Sequence, residues 1–372
     1  MIKGLLKIGF SDIIGLSISA LFWFFLATLI EPDEFGEIFY FLGIAGIASY
    51  ISLIGTQNSI IVYVAKKVKI QSTLYLLSLI AGGISSIVLI MIFYRVDISL
   101  ILLGYIINTL ALGDLLGKKL YNSYSKYFLI QKILTVIFGF GFYYLFDIEG
   151  IIFALALSYI AYAIRVYKGF KESKINFALL KPRLGFITNN YVMILTQGST
   201  KNIDKLIIAP LVGFSFLGNY ALAIQVVGIM GIFTTILFKY TLTHDVNGIS
   251  NTKLKLVILL LSIGIAVFAY LFSPIIIPEF FPKYSEAVTA IQIMGFSVIP
   301  ATISTIYTSK FLGLEKSKFV FISKIISLVT MIISMVILGS ILGIFGLVIA
   351  FVLSYFMEAI VFVLINQKSN LR

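Results

Sequence analysis

Lys201, Asp204 and Lys205 stand three and four residues apart within the stretch 188–211, which is otherwise largely apolar. On a helix those offsets place all three on one face. Ammonium and carboxylate groups so placed could hold an anion, or pass a cation or proton by pairing and unpairing. Lys324 and Glu358 form a second constellation. At 1.5 Å per residue, Lys324 lies about 10 Å into its apolar stretch and Glu358 about 12 Å into the next, counted from the same side. Equal depth on consecutive antiparallel helices predicts an ion pair between them. Lys132 is a further buried cation, and Asp114 precedes Lys118 by four residues, the spacing of a local ion pair. Asp12 follows Ser11 early in the first stretch and reads as a cap or interfacial group. The amides of Gln57, Asn58, Asn190 and Gln197 could bond the hydroxyls of a sugar or bond between helices. Pro300 should kink its helix and could serve as a hinge. The sole histidine, His244, sits beside Asp245 without companion ligands, and cysteine is absent, so no metal site and no cofactor is expected.

The elements that must position these groups follow from composition. Of 372 residues, 60% are hydrophobic and 12% charged, with mean hydropathy +1.07. A soluble domain has about 25% charged residues. These values exclude a soluble enzyme, a disulfide-stapled scaffold and any sizeable domain outside the membrane. Twelve apolar runs read as membrane-spanning helices, near 9–30, 37–62, 73–94, 98–116, 127–146, 150–167, 188–211, 217–238, 255–274, 286–309, 318–339 and 345–366. The first follows Lys3 and Lys7, is too long for a signal-peptide core and leads into Glu31-Pro32-Asp33-Glu34, so it is expected to be retained.

Loop charge orients the chain. With both termini cytoplasmic, 22 of the 28 basic residues fall in inner loops and tails, including Lys239 and Arg372. Only Arg95 and Lys283 lie outside, and Lys132, Lys201, Lys205 and Lys324 lie within spans. That asymmetry is the positive-inside signature of a multi-pass protein of the cell membrane. The net charge of +12 is then a topology signal with anionic lipid headgroups as a further partner, and nucleic-acid binding is not expected.

The chain also contains an approximate copy of itself. Ser125-Lys126-Tyr127-Phe128 through Lys132-Ile133 matches Ser317-Lys318-Phe319-Val320 through Lys324-Ile325 at an offset of 192. Gly150-Ile151, Ser158-Tyr159 and Ala163-Ile164 recur as Gly346-Leu347, Ser354-Tyr355 and Ala359-Ile360 at 196, and Phe35-Gly36 recurs as Leu217-Gly218 at 182. Lys132 is therefore read as the counterpart of Lys324, and Tyr162 as that of Glu358, which leaves Lys132 without a carboxylate. An unpaired cation facing a cleft could receive a phosphate; the alternative is that it snorkels to the interface. Six spans per half make parallel repeats, whose substrate sites usually lie near mid-membrane. The expected architecture is an all-α polytopic membrane protein of about 12 transmembrane helices in two pseudo-symmetric six-helix bundles around a central cleft. The bundles are 1–167 and 188–372, joined by a basic cytoplasmic linker, 168–187.

Leu29-Ile30-Glu31-Pro32-Asp33-Glu34-Phe35-Gly36, followed by Gly55-Thr56-Gln57-Asn58-Ser59, resembles the opening of the polysaccharide-biosynthesis flippases. Asn202-Ile203-Asp204-Lys205-Leu206-Ile207-Ile208 and Gly213-Phe214-Ser215-Phe216-Leu217-Gly218-Asn219-Tyr220 resemble their seventh-helix region, and Leu314-Glu315-Lys316-Ser317 with Gly343-Ile344-Phe345-Gly346 resembles their final pair. The chain is short for that family, its loops are short, and its spans lack a dense set of arginines. The resemblance implies the multidrug/oligosaccharidyl-lipid/polysaccharide exporter superfamily. It also implies a flippase that carries polyprenyl-(pyro)phosphate-linked oligosaccharide from the cytoplasmic to the outer leaflet by alternating access. Lys132, Lys201, Lys205, Gln57, Asn58 and Gln197 are the expected cargo residues, with Asp204, Glu358 and Lys324 for ion coupling or pairing. Other polysaccharide-assembly membrane proteins are expected partners. The alternative is a cation-coupled multidrug exporter of the same superfamily. A membrane glycosyltransferase or polymerase is more distant, because the outer loops are too short to house a catalytic site, so no enzyme is expected.

Overall fold

A computed structural model describes residues 2–234, 252–314 and 316–368. Lys239, His244, Asp245, Glu315 and Arg372 lie outside the described residues. Among the described residues all regular structure is helical: α1 Ile2–Leu29, α2 Pro32–Ser52, α3 Thr56–Ala65, α4 Gln71–Phe93, α5 Val96–Gly117, α6 Tyr121–Phe146, α7 Glu149–Leu157, α8 Ile160–Glu172, α9 Leu184–Val212, α10 Phe214–Met230, α11 Thr252–Phe280, α12 Ser285–Met294, α13 Val298–Gly313, α14 Ser317–Leu342 and α15 Ile344–Lys368, with short 3-10 turns at Phe177–Leu179, Lys181–Arg183 and Gly295–Ser297. Among the described residues, eleven stretches are long and apolar enough to cross a membrane. Their exposed faces carry residues such as Ile84, Ile87 and Met91, as a lipid-facing surface requires. The protein is a multi-pass membrane protein.

Three expected helices are broken. The run 37–62 divides into α2 and α3 because Gly55 takes φ +72, and a Cβ there would lie 2.3 Å from the Ile187 carbonyl oxygen. Only glycine meets both demands. The run 150–167 divides into α7 and α8 at Ser158-Tyr159. The run 286–309 becomes α12, a 3-10 turn and α13. Pro300 sits in the first turn of α13, and its missing N–H frees the carbonyl four residues back, inside the 3-10 turn. The fourth departure is α9. Its 29 residues are long enough to span, but it is not among the eleven apolar spans, because amides, hydroxyls and three charges run through its middle.

Packing groups the chain into two compact units, 1–26 with 41–202 and 27–40 with 203–372. The segment 168–187, expected to link two bundles, packs within the first unit, and the corner joining α1 to α2 packs within the second. In the first unit Phe22 meets Gly139 of α6 and stacks obliquely on Phe140. Ser11 bonds Ser125 at 3.0 Å, and Asp12 accepts from the Tyr124 hydroxyl at 3.3 Å. In the second unit the corner is held by Lys283–Glu31 at 2.8 Å and by the buried Tyr284 hydroxyl donating to the Ile30 carbonyl at 3.3 Å. Burial, then the charges of Glu31 and Glu34, push the Tyr284 phenol above its ordinary range, so it stays a donor.

The internal repeat has one register across its last helical hairpins. α6 and α14 are both 26 residues long and 196 apart in number. They end on caps of matching conformation, Asp147 at φ 55 and Gly343 at φ 57. The Ser158 hydroxyl donates to Leu155 at 2.6 Å, and Ser354 donates to Phe351 at 2.7 Å. This corrects the offset of 192 read from the α6 sequence. The structural counterpart of Lys324 is Phe128, and Lys132 lies one helical turn further along.

Candidate functional site

The α14–α15 hairpin of the second unit places Lys324 opposite Glu358, and their charged atoms are 2.6 Å apart. The carboxylate side chain is 3% exposed and the lysine 38%, so the acid is desolvated while the ammonium reaches open space. That space is a cavity of about 270 Å³ lined by Thr234, Ser304, Thr305, Thr308 and Tyr355 besides the ion pair. Ala301, Ser304, Thr305 and Thr308 fall at helical spacing on α13, so one face of that helix forms a wall. The Ser304 hydroxyl is buried without a hydrogen-bond partner among the described residues. A cation, an acid and several hydroxyls around one void can hold a polar or anionic ligand and can exchange partners.

The opposite flank of the same helix pair is apolar. Pro300, Ile303, Phe356, Ile360, Val363 and Leu364 line a groove of about 250 Å³. α13 and α15 therefore present a polar cavity on one side and a hydrocarbon-lined groove on the other.

Asp204 and Lys205 enter the second unit from the end of α9 and are both buried. Their charged groups are 3.1 Å apart, and the Tyr220 hydroxyl of α10 donates to the other carboxylate oxygen at 3.1 Å. Tyr220 packs edge-on against Phe351, which in turn packs on Tyr355. Tyr355 lies within electrostatic reach of both Glu358 and Asp204. Of the expected three-charge face, only Asp204 and Lys205 come together as a buried pair; Lys201, one turn earlier, is exposed. At 100° per residue the three share a face, and packing buries Asp204 and Lys205 while Lys201 stays exposed.

In the first unit, the Lys132 ammonium lies 5.4 Å from the centre of the Phe128 ring, and no carboxylate partner for it is found among the described residues. The aliphatic stem reaches back along the helix toward Phe128, one turn earlier. Tyr162 stacks with Tyr127 and Tyr159, and its hydroxyl is buried without a hydrogen-bond partner among the described residues. Asn58 and Asn190 bond each other at 3.2 Å between α3 and α9, the interhelical use of those amides. Gln57 is half-buried on α3, and Gln197 is exposed on α9.

The expected Asp114–Lys118 pair forms at 2.8 Å, within a larger cluster. Arg165 of α8 bonds Asp114, and Glu172 bonds both Arg165 and Lys118. Asp114 is fully buried. The sequence singled out neither Arg165 nor Glu172 as a partner of Asp114. It also overlooked Ser304, Thr305, Thr308, Tyr220 and Tyr355. The spacing of small polar residues on α13 was the available signal for the first three, and nothing in the sequence singled out the two tyrosines from an aromatic-rich chain.

No family model and no curated protein matches the sequence. Solved structures match its fold over most of both chains. An inward-facing multidrug resistance MATE family transporter of the MOP superfamily aligns with TM-score 0.73 at 15% identity, covering 95% of this chain and 94% of that one. The lipid II flippase MurJ, in an inward closed conformation, aligns with TM-score 0.77 at 14% identity, covering 99% and 88%. A MOP superfamily transporter from Pyrococcus furiosus, described as having a binding pocket of reversed polarity, aligns with TM-score 0.68 at 16% identity, covering 99% and 95%. The chain thus has the fold of MOP superfamily transporters.

Proposed function

We propose that this protein is a flippase that moves a lipid-linked, phosphate-bearing oligosaccharide from the cytoplasmic to the outer leaflet by alternating access. The observation that carries this reading is the two-sided helix pair α13–α15. A polar cavity containing Lys324 stands beside a groove of hydrocarbon side chains, which suits a cargo with an anionic, hydroxyl-rich head and a lipid tail. The half-buried Lys132, held over an aromatic ring instead of a carboxylate, supplies a second cation for phosphate. The shared fold with a lipid II flippase supports the class of reaction, the repeat supports two six-span halves, and the excess of basic residues in alternate loops supports cytoplasmic termini. Membrane lipids and other polysaccharide-assembly proteins are the partners this role implies.

The test is translocation of a fluorescent polyprenyl-pyrophosphate glycan in proteoliposomes. Lys132→Ala and Lys324→Met should each slow it severalfold, and Lys201→Ala should report whether an exposed α9 lysine also touches cargo. Unchanged rates in all three variants would remove the assigned site. A cation-coupled multidrug exporter is the second reading, favoured by the buried acids Asp204 and Glu358. It predicts efflux of a lipophilic cationic dye that the glycan does not inhibit.

A further inference from the structure

We infer that Glu358 takes up a proton when an anionic ligand replaces it as the counter-ion of Lys324, so that the α13–α15 cavity binds its phosphate group together with one proton. This rests on the phosphate-bearing cargo proposed above and adds the charge balance of its binding.

Four features of the cavity lead there. The ion pair is lopsided: Glu358 is sealed from solvent while Lys324 is more than a third exposed toward the void. An ammonium has three donors, and one carboxylate oxygen at 2.6 Å engages only part of that capacity. The remaining polar lining, Thr234, Ser304, Thr305, Thr308 and Tyr355, consists of hydroxyls that can all donate to acceptor oxygens. Ser304 is buried with its hydroxyl unpartnered among the described residues, a donor already desolvated. Around an ammonium this set is built for an oxyanion, and among the described residues Glu358 is the one acidic group in the lining.

An entering phosphate therefore competes with Glu358 for Lys324. If it wins, the carboxylate is left buried without compensation, the costly outcome of breaking a buried pair by removing one partner. A proton from water on the freed carboxylate oxygen removes that charge and converts the acid into a hydrogen-bond donor toward the ligand. No covalent bond other than that O–H forms or breaks. The empty cavity holds one ammonium and one carboxylate; the loaded cavity holds one ammonium, one neutral acid and one phosphate charge. Both states are neutral.

Among the described residues the groups around Glu358 offer no simpler compensation. Lys324 faces it from α14, Tyr355 shares its helix, and α13 contributes only hydroxyls. Tyr220 and Asp204 lie beyond Tyr355, and Asp204 is already held by Lys205. The acid of α12, Glu286, is exposed at the far end of that helix, and Lys310 of α13 is bonded to Asn366 at 2.8 Å.

The test is calorimetric titration of the full-length protein in detergent with geranyl-phosphoryl N-acetylglucosamine, whose doubly esterified phosphate carries a single fixed negative charge near neutral pH. Repeating it in buffers of different ionisation enthalpy counts protons. Wild type should take up about one proton per ligand bound. Glu358→Gln, which keeps the shape, should bind with no proton uptake, and Lys324→Met should weaken binding about tenfold or more. Glu358→Gln keeps the experiment decisive if Lys324→Met does not fold. Binding by wild type without proton uptake overturns the inference, as does uptake that persists in Glu358→Gln or a failure of wild type to bind. Translocation of the labelled glycan by the same preparation separates the two levels: if it persists without proton uptake, only this inference falls, and if both translocation and binding are absent, the proposed function falls with it.

Discussion

Gly36 and Gly218 pack against each other's helix reciprocally. A Cβ on Gly36 would lie 2.0 Å from the Phe214 carbonyl oxygen, and one on Gly218 would lie 1.8 Å from that of Pro32. Both pairs of residues are related by the repeat offset of 182, so the same contact is made from either helix. Backbone meets backbone, and no side-chain rotamer can relieve an added methyl. Gly36→Ala and Gly218→Ala should each lower stability by about 3 kcal/mol, the upper range for overpacking. Gly83→Ala, with nothing within 4 Å of its new Cβ, should be neutral or gain up to about 1 kcal/mol from helix propensity. Thermal unfolding in detergent distinguishes them.

Lys324 and Glu358 should be coupled in a double-mutant cycle. Lys324→Met strands a buried carboxylate and should cost about 2 kcal/mol, less than for a fully buried pair because the lysine is partly exposed. Glu358→Met should cost less. The double variant should recover at least about 1 kcal/mol relative to the sum of the two. Strict additivity would mean that the pair contributes nothing to the α14–α15 hairpin.

The Tyr220 hydroxyl satisfies one oxygen of a buried carboxylate. Tyr220→Phe removes that bond and should destabilise by about 1–3 kcal/mol, as for hydrogen bonds to charged groups. Tyr220→Phe with Asp204→Asn should cost less than the two changes added together. Chemical denaturation or thermal melts of the reconstituted protein would read this directly.

Arg165 stands between Asp114 and Glu172. Arg165→Met leaves the fully buried Asp114 with Lys118 alone and should lower stability by about 3 kcal/mol. Arg165→Lys should recover only part of it, because a single ammonium cannot reproduce the planar fork that reaches two carboxylates. Because Asp114 is buried, the loss should change little between low and moderate salt.

Gly55→Ala asks for a left-handed backbone and a place for a methyl against the Ile187 carbonyl at once. It should destabilise by more than about 2 kcal/mol and disturb the neighbouring Asn58–Asn190 bond. Transport and melting temperature should fall together.

How much of this was legible in the sequence differs by feature. The apolar runs reported the helices because a membrane span must satisfy its own backbone hydrogen bonds and bury its apolar side chains in lipid. The Lys324–Glu358 pair was legible too, since depth along consecutive helices follows from counting residues. The break at 295–297 was signalled by Pro300, whose missing N–H frees a carbonyl inside the 3-10 turn. The break at Gly55 was not, because hydropathy continues through it and only the approach of the Ile187 backbone interrupts the helix. The partner of Asp204 was also hidden, because offsets of one and three both bring a lysine within reach.

The repeat makes the division sharpest. By itself the sequence determined that the chain is helical, multi-pass and internally duplicated, because hydrophobicity and glycine spacing survive divergence. It could not determine the register of α6 against α14. A shift of four residues rotates a helix by only about 40°, so apolar and polar residues stay on nearly the same faces and either offset matches. The caps at Asp147 and Gly343 and the serine bonds at 158 and 354 selected 196. Lys132 thereby became a separate cation one turn from the position of Lys324, a distinction that only side chains packed in three dimensions could make.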